Sequence, residues 1–152
     1  MENTKTVATN RKAFFEYSVL EKFETGISLS GTEVKSIRQG GVNLKDAWCN
    51  IENGEMIIKQ MHISPYEYGN VFNKNPKRDR RLLMHKREIM RLFGAVKQEG
   101  LTIIPLSLYF KGSLVKVQIG LCKGKKIYDK RADAAKKDAN RTIERTLKEQ
   151  NR

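Results

Sequence analysis

Almost everything in this chain that could build a hydrophobic core stops at Leu121, and that boundary constrains the fold most. Up to it, apolar residues recur with the periods of strands and amphipathic helices. Beyond it comes a basic glycine hinge and then a highly charged segment whose apolar residues, Ala132, Ala135, Ala139, Ile143 and Leu147, form only a thin stripe at helical spacing. Asp133 with Lys137 and Glu144 with Lys148 are favourable i,i+4 pairs, opposed by like charges at Lys137 with Arg141 and Arg141 with Arg145. A stripe made mostly of alanine buries too little area to offset the cost of nucleating a helix. The sequence therefore predicts three regions: a flexible polar N-terminus over residues 1–9, a compact domain over 10–122, and a basic tail over 123–152. The tail is expected to be disordered when free and helical once a polyanion neutralises its cations.

Within the compact region, residues 14–29 read as one long strand, with Phe15, Tyr17 and Val19 alternating with polar neighbours. Ser30 and Glu33 have capping-box spacing ahead of a short helix carrying Val34 and Ile37, which Gly40 and Gly41 stop. Asn53-Gly54, set between the apolar runs 48–51 and 56–63, is a strong hairpin signal. Residues 64–81 read as a long loop ending in a basic cluster. Ile89, Leu92, Phe93 and Val96 mark the buried stripe of a helix over 86–98, and a second hairpin joins 101–110 to 114–121. The expected fold is mainly β with short helices (α+β): a small antiparallel barrel of about five strands, oligonucleotide-binding-like, with flanking helices. Strand connectivity alone does not separate it from an SH3-like barrel.

Charge narrows the function. Lys and Arg number 30 against 17 Asp and Glu, a net charge of +13, which points to phosphate-rich partners. The basic residues cluster at Arg11-Lys12, at 77–81 and at 123–131. Aromatic residues accompany each cluster: Phe14, Phe15 and Tyr17; Tyr66, Tyr68 and Phe72; Tyr128. That mixture suits RNA, whose phosphates take cations and whose unpaired bases stack on rings. Phe14, Phe15 and Phe72 read more naturally as core or lid residues. Cys49 and Cys122 lack metal-ligand or redox spacing and read as small buried hydrophobes of a reducing, cytoplasmic compartment. No membrane span is expected, and a polybasic membrane-surface module would need larger apolar anchors than Ile143 and Leu147. No catalytic residue, metal or cofactor is expected. A metal-free ribonuclease pairing His62 with His85 is the enzymatic alternative.

Seven motifs, in order, carry a family resemblance. They are Asn10-Arg11-Lys12-Ala13; the run from Phe23 to Arg38; Asn43-Leu44-Lys45-Asp46; Arg80-Arg81-Leu82-Leu83; Leu106-Ser107-Leu108-Tyr109; Lys116-Val117; and Gly124-Lys125-Lys126-Ile127-Tyr128-Asp129-Lys130-Arg131. Together they closely resemble the SmpB family, the tmRNA-binding proteins of bacterial trans-translation. The resemblance implies an adaptor, not an enzyme, that binds the tRNA-like domain of tmRNA as a monomer and stands where an anticodon arm would be. It implies RNA contacts at Asn10, Lys12, Glu24, Leu83, Lys116, Gly124 and Lys125, to which the basic cluster adds Arg11. Glu24 could accept from base or ribose donors, or order neighbouring cations. The resemblance further implies that the tail enters the small-subunit decoding centre and the empty mRNA channel. There it would meet rRNA through Lys126, Tyr128, Asp129, Lys130, Arg131, Lys136, Lys137, Arg141 and Arg145. A general RNA-binding or ribosome-associated barrel is the alternative.

Overall fold

The structure is a computed structural model and describes residues 4–69 and 73–125. In chain order the elements are β1 (Thr4–Thr9), α1 (Arg11–Glu16), β2 (Tyr17–Ile27), α2 (Gly31–Arg38), β3 (Val42–Asn43) and β4 (Trp48–Glu52). They continue with β5 (Glu55–Lys59), β6 (His62–Ile63), β7 (Arg80–Leu83), α3 (Lys86–Glu99), β8 (Thr102–Lys111) and β9 (Leu114–Gly124). The strand order β1-β8-β4-β5-β7-β2-β9, together with a β8–β9 pairing, closes β8, β4, β5, β7, β2 and β9 into an antiparallel barrel. Strand β1 is added outside on β8, and β3 pairs with β6 in a separate small ladder. Closure leaves few unpaired edges, and the interior fills with Met56, Ile58, Leu82, Leu108, Val117 and Ile119, all at most 2% exposed. Helix α3 covers this core with Ile89 and Leu92 and ends at Gly100, whose φ of 66° supplies the left-handed cap.

The mainly β architecture and the oligonucleotide-binding-like barrel agree with the sequence reading, and four local expectations change. The predicted strand over 14–29 begins only at Tyr17, because Asn10 caps a helical turn through Glu16: its Oδ1 accepts from the Ala13 amide at 3.2 Å. Phe14 and Phe15 are consequently 41% and 50% exposed and are not core residues. The predicted loop over 64–81 ends in a sixth barrel strand, β7, which bridges β5 and β2. The predicted flexible N-terminus contains β1, which occupies the part of the β8 edge that β4 leaves uncovered. The boundary expected at 122/123 also moves. β9 runs to Gly124, and the Lys125 amide donates to Glu16 O at 3.0 Å, so Lys123, Gly124 and Lys125 belong to the barrel. The expected tail beyond Lys125, and Phe72, lie outside the described residues.

Pro105 in the middle of β8 looks out of place, since proline cannot donate to a ladder. It sits at a register shift between Pro105 and Ser107, where the bulged Leu106 turns outward. That bulge creates a second, outer core of Ala13, Ile104, Leu106 and Cys122, packed with Tyr17 and Val19 beneath α1. Gly120 makes room for it: a Cβ there would lie 2.9 Å from Leu106 Cδ1.

Candidate nucleic-acid interface

The expected contact residues fall into two groups strung along the β2–β9 ladder. The first lies around α1. Asn10 is 4% exposed and fastens the helix to the barrel. Its amide donates to Leu106 O at 2.7 Å and its side-chain Nδ2 to Pro105 O at 3.0 Å, while Oδ1 caps α1. It positions this end of the surface and does not project from it. Arg11 and Lys12 project from α1, with Lys12 Nζ at 3.8 Å from Glu16 Oε1 and 3.9 Å from Asp46 Oδ1. Gly124 pairs with Tyr17, and Lys125 Nζ donates to Phe14 O at 3.4 Å, bringing the last described cation beside the helix.

The second group lies at the opposite end of the ladder. Gly26 is the meeting point, pairing with Lys116 of β9 and with Leu83 of β7. Leu83 is 47% exposed, and a Cβ on Gly26 would sit 3.3 Å from Leu83 Cβ. Glu24 stands two residues away on the same face. It accepts from the Tyr109 hydroxyl and, at 3.2 Å, from Lys111 Nζ. The Tyr109 hydrogen bond, with Lys111 and Lys116 nearby, holds the Glu24 carboxyl below its ordinary pKa against the opposing effect of burial. Burial and the charge of Glu24 together push the Tyr109 phenol well above its ordinary value. Glu24 is therefore a carboxylate engaged by Tyr109 and Lys111 of its own chain. Nine residue steps separate Tyr17 from Gly26, so the two groups stand roughly 30 Å apart along one strand pair.

In the middle basic cluster, expected to hold phosphates, Arg80 is turned inward and Arg78 partly so, while Lys77 and Arg81 stay exposed. Glu33, at N3 of α2, completes the predicted capping box with Ser30. The same carboxylate, 4% exposed, accepts from Arg78 Nη2 at 2.5 Å and from Arg80 Nε at 2.5 Å. Arg80, 1% exposed, places its remaining donors on Met61 O at 2.8 Å, Arg78 O at 3.1 Å and Pro76 O at 3.1 Å. Burial works against ionisation of Glu33, but the hydrogen bonds from Arg78, Ser30 and Arg80 outweigh it and leave its pKa lowered. Burial also lowers the pKa of Arg80. Arg81 pairs with Glu55 at 3.2 Å, and Asp79 lies 3.4 Å from Lys59. Sequence reasoning missed this clasp because Glu33 already had a local explanation and its partners lie 45 and 47 residues away.

The other expectations are quickly placed. His62 lies in β6 and His85 immediately precedes α3 without a side-chain hydrogen bond to its end, so they occupy separate places. Both cysteines are free and buried, and burial pushes the Cys122 thiol up to about 11 and that of Cys49 higher still. Among the described residues, no group of three or more His, Cys, Asp or Glu could hold a metal ion, and no helix is long and apolar enough to cross a membrane.

A closed antiparallel barrel with cations at both ends of one ladder, and with Arg78, Arg80 and Arg81 paired internally, is of the oligonucleotide-binding type. The family model "SmpB protein" matches residues 7–149. SsrA-binding protein from Carboxydothermus hydrogenoformans is 62% identical over 144 residues, covering 95% of this chain and 97% of the relative. That from Clostridium perfringens is 57% identical over 151 residues, covering 99% and 97%. A chain in a solved structure of tmRNA-SmpB at the center of the bacterial ribosome aligns with a TM-score of 0.66 and 45% identity, over 79% of this chain and 85% of that one. The chain belongs to the SmpB family.

Proposed function

We propose that this chain is a tmRNA-binding adaptor of trans-translation, the rescue of stalled ribosomes. The observation that carries the reading is the placement of Lys12, Gly124 and Lys125 at one end of the β2–β9 ladder and of Glu24, Leu83 and Lys116 at the other. Two contact groups at a fixed separation measure the shape of a folded RNA, as a single basic patch cannot. Lysines supply attraction to phosphate, exposed Leu83 packs on a sugar or base, and Glu24 keeps its neighbours aimed. Family membership and the relatives named for SsrA binding support the same RNA, and the ribosomal tmRNA-SmpB structure supports the ribosome as second partner. The chain itself makes and breaks no bonds; peptide transfer belongs to the ribosome.

The reading divides labour. Residues 4–125 hold the tRNA-like domain, and the segment from Lys126, with Tyr128, Asp129, Lys130, Arg131, Lys136, Lys137, Arg141 and Arg145, serves the decoding centre and vacant mRNA channel. Truncation after Lys125 tests this. Affinity for a transcript of the tRNA-like domain should stay near that of the full chain, whereas tagging on ribosomes stalled without a stop codon should disappear. Equal loss of both activities overturns the division, and equal affinity for random oligonucleotides overturns tmRNA recognition.

A further inference from the structure

Beside the α1 group, a cleft of about 290 Å³ opens between helix α1 and the turn leading into β4. Lys12 and Glu16 line one wall, Lys45, Asp46 and Trp48 the other, with the buried Ala13 and Ala47 leaving the space between them. Its chemistry differs from the phosphate-binding surface next to it. Carboxylates there would repel a phosphate that lysines alone would attract. Lys12 lies at 3.8 and 3.9 Å from the two carboxylates, too far for a strong hydrogen bond to either. Among the described residues, Lys12 is the one cation within ion-pair distance of Asp46, whose side chain is 69% exposed. Trp48 is 40% exposed, with Lys59 Nζ 5.8 Å from its ring centroid.

We propose that this cleft binds one unpaired guanine of the RNA partner. Its Watson–Crick edge lies on Asp46, its ring packs against Trp48, and the flanking phosphates meet Lys12 and Lys45. Guanine is the base that fits. Its N1–H and N2–H donors lie side by side and match the two oxygens of a carboxylate. Adenine and cytosine each set a ring-nitrogen acceptor beside their amino group, and uracil flanks its single N–H with carbonyls, so all three turn an acceptor toward Asp46. The inference rests on the RNA-binding reading above and adds a base-specific element to it.

The test is dicarbonyl (kethoxal) footprinting, which modifies N1 and N2 of unpaired guanines. It is run with the full chain on a transcript of the tRNA-like domain and, separately, on the ribosome-bound complex. Wild-type protein should protect one unpaired guanine, and Asp46→Asn and Trp48→Ala should each restore its reactivity, whereas Asp79→Asn should not. Protection in the binary complex assigns the base to tmRNA; protection on the ribosome alone assigns it to rRNA. Inosine at that position removes the N2 amino group and should weaken wild-type binding by about tenfold. It should cost the Asp46→Asn protein nothing further. Asp46→Asn alters an exposed side chain, so the experiment survives if Trp48→Ala fails to fold. Protection that Asp46→Asn leaves intact, inosine loss equal in both proteins, or no protected guanine in either complex overturns the proposal. Failure of wild-type protein to bind the transcript at all removes the parent reading as well.

Discussion

Replacing Glu33 by glutamine isolates the interaction that the sequence concealed. Glutamine keeps the size and can still serve the N3 position of the capping box, so the substitution removes charge and leaves the cap. What remains is Arg80, 1% exposed, with its Nε facing a neutral amide. Breaking a buried ion pair by deleting one partner typically costs about 3–5 kcal/mol, because the surviving charge stays desolvated. Against a total of about 5–15 kcal/mol for a domain of this size, that loss moves the urea midpoint markedly. The second half of the experiment is the double variant Glu33→Gln/Arg80→Met, which removes both charges and should recover most of the loss. Equilibrium urea unfolding, followed by the fluorescence of Trp48, measures all three proteins. A single-variant loss below about 1 kcal/mol, or a double variant no more stable than Glu33→Gln alone, refutes the clasp. The same pair predicts the acid limb. Glu33 has its folded pKa lowered from 4.5, so the unfolded chain takes up its proton first as pH falls. The stabilisation is complete above the unfolded value, is lost as pH falls through the depressed folded value, and should be missing from the Glu33→Gln profile.

Three other outcomes follow from the geometry. Lys116→Met should reduce the slope of log affinity for the tRNA-like domain against log salt by about 0.7–0.9, while Arg81→Met, whose guanidinium is already paired with Glu55, should leave it unchanged; equal effects would contradict the assignment of the two clusters. Glu24→Gln should lower RNA affinity several-fold with the urea midpoint unmoved, since the residue is exposed and holds only the orientation of Tyr109 and Lys111; unaltered affinity would leave that ordering without consequence for binding. Gly120→Ala should destabilise by about 1–3 kcal/mol, read by thermal melting, because its Cβ meets Leu106 Cδ1 at 2.9 Å inside the outer core; a neutral result would mean that α1 yields freely.

The parts of the fold legible in the sequence are those governed by short-range rules. Asn53-Gly54 announced its hairpin, and both residues adopt positive φ, 52° and 76°. Ser30 and Glu33 announced the start of α2, and the spacing from Ile89 to Val96 announced α3. What was not legible depends on partners remote in sequence. Thr4–Thr9 carry no apolar alternation and become a strand because β8 offers an open edge. Arg80–Leu83 end a run rich in Pro, Gly and Asn and become a strand because Glu33 takes the arginines and Gly26 admits Leu83. The site divides the same way. Basic residues with neighbouring rings pointed to an RNA-binding chain, but not to the pairing of Arg78 and Arg80 with Glu33, since a cation looks the same in sequence whether or not an internal carboxylate meets it.

That division explains how so small a barrel can recognise a folded RNA. One long ladder joins the two groups, with paired residues from Tyr17 to Gly26 and one register shift between Val19 and Glu21. Shifts of register near Leu20 on β2 and Leu106 on β8 fix which residues face outward, because a slip by one position would exchange the buried and exposed faces. The clasp around Glu33 then holds β7 against β5 and β2, so that Leu83 keeps its place beside Gly26. Stability and recognition therefore meet at one point of the structure. Arg78 and Arg80 are committed to Glu33, and the strand that Arg80 begins carries Leu83. Under the proposed function, cations committed internally fix the spacing and cations on α1 and β9 use it, which would give a chain of net charge +13 selectivity for shape beyond a general attraction to polyanions.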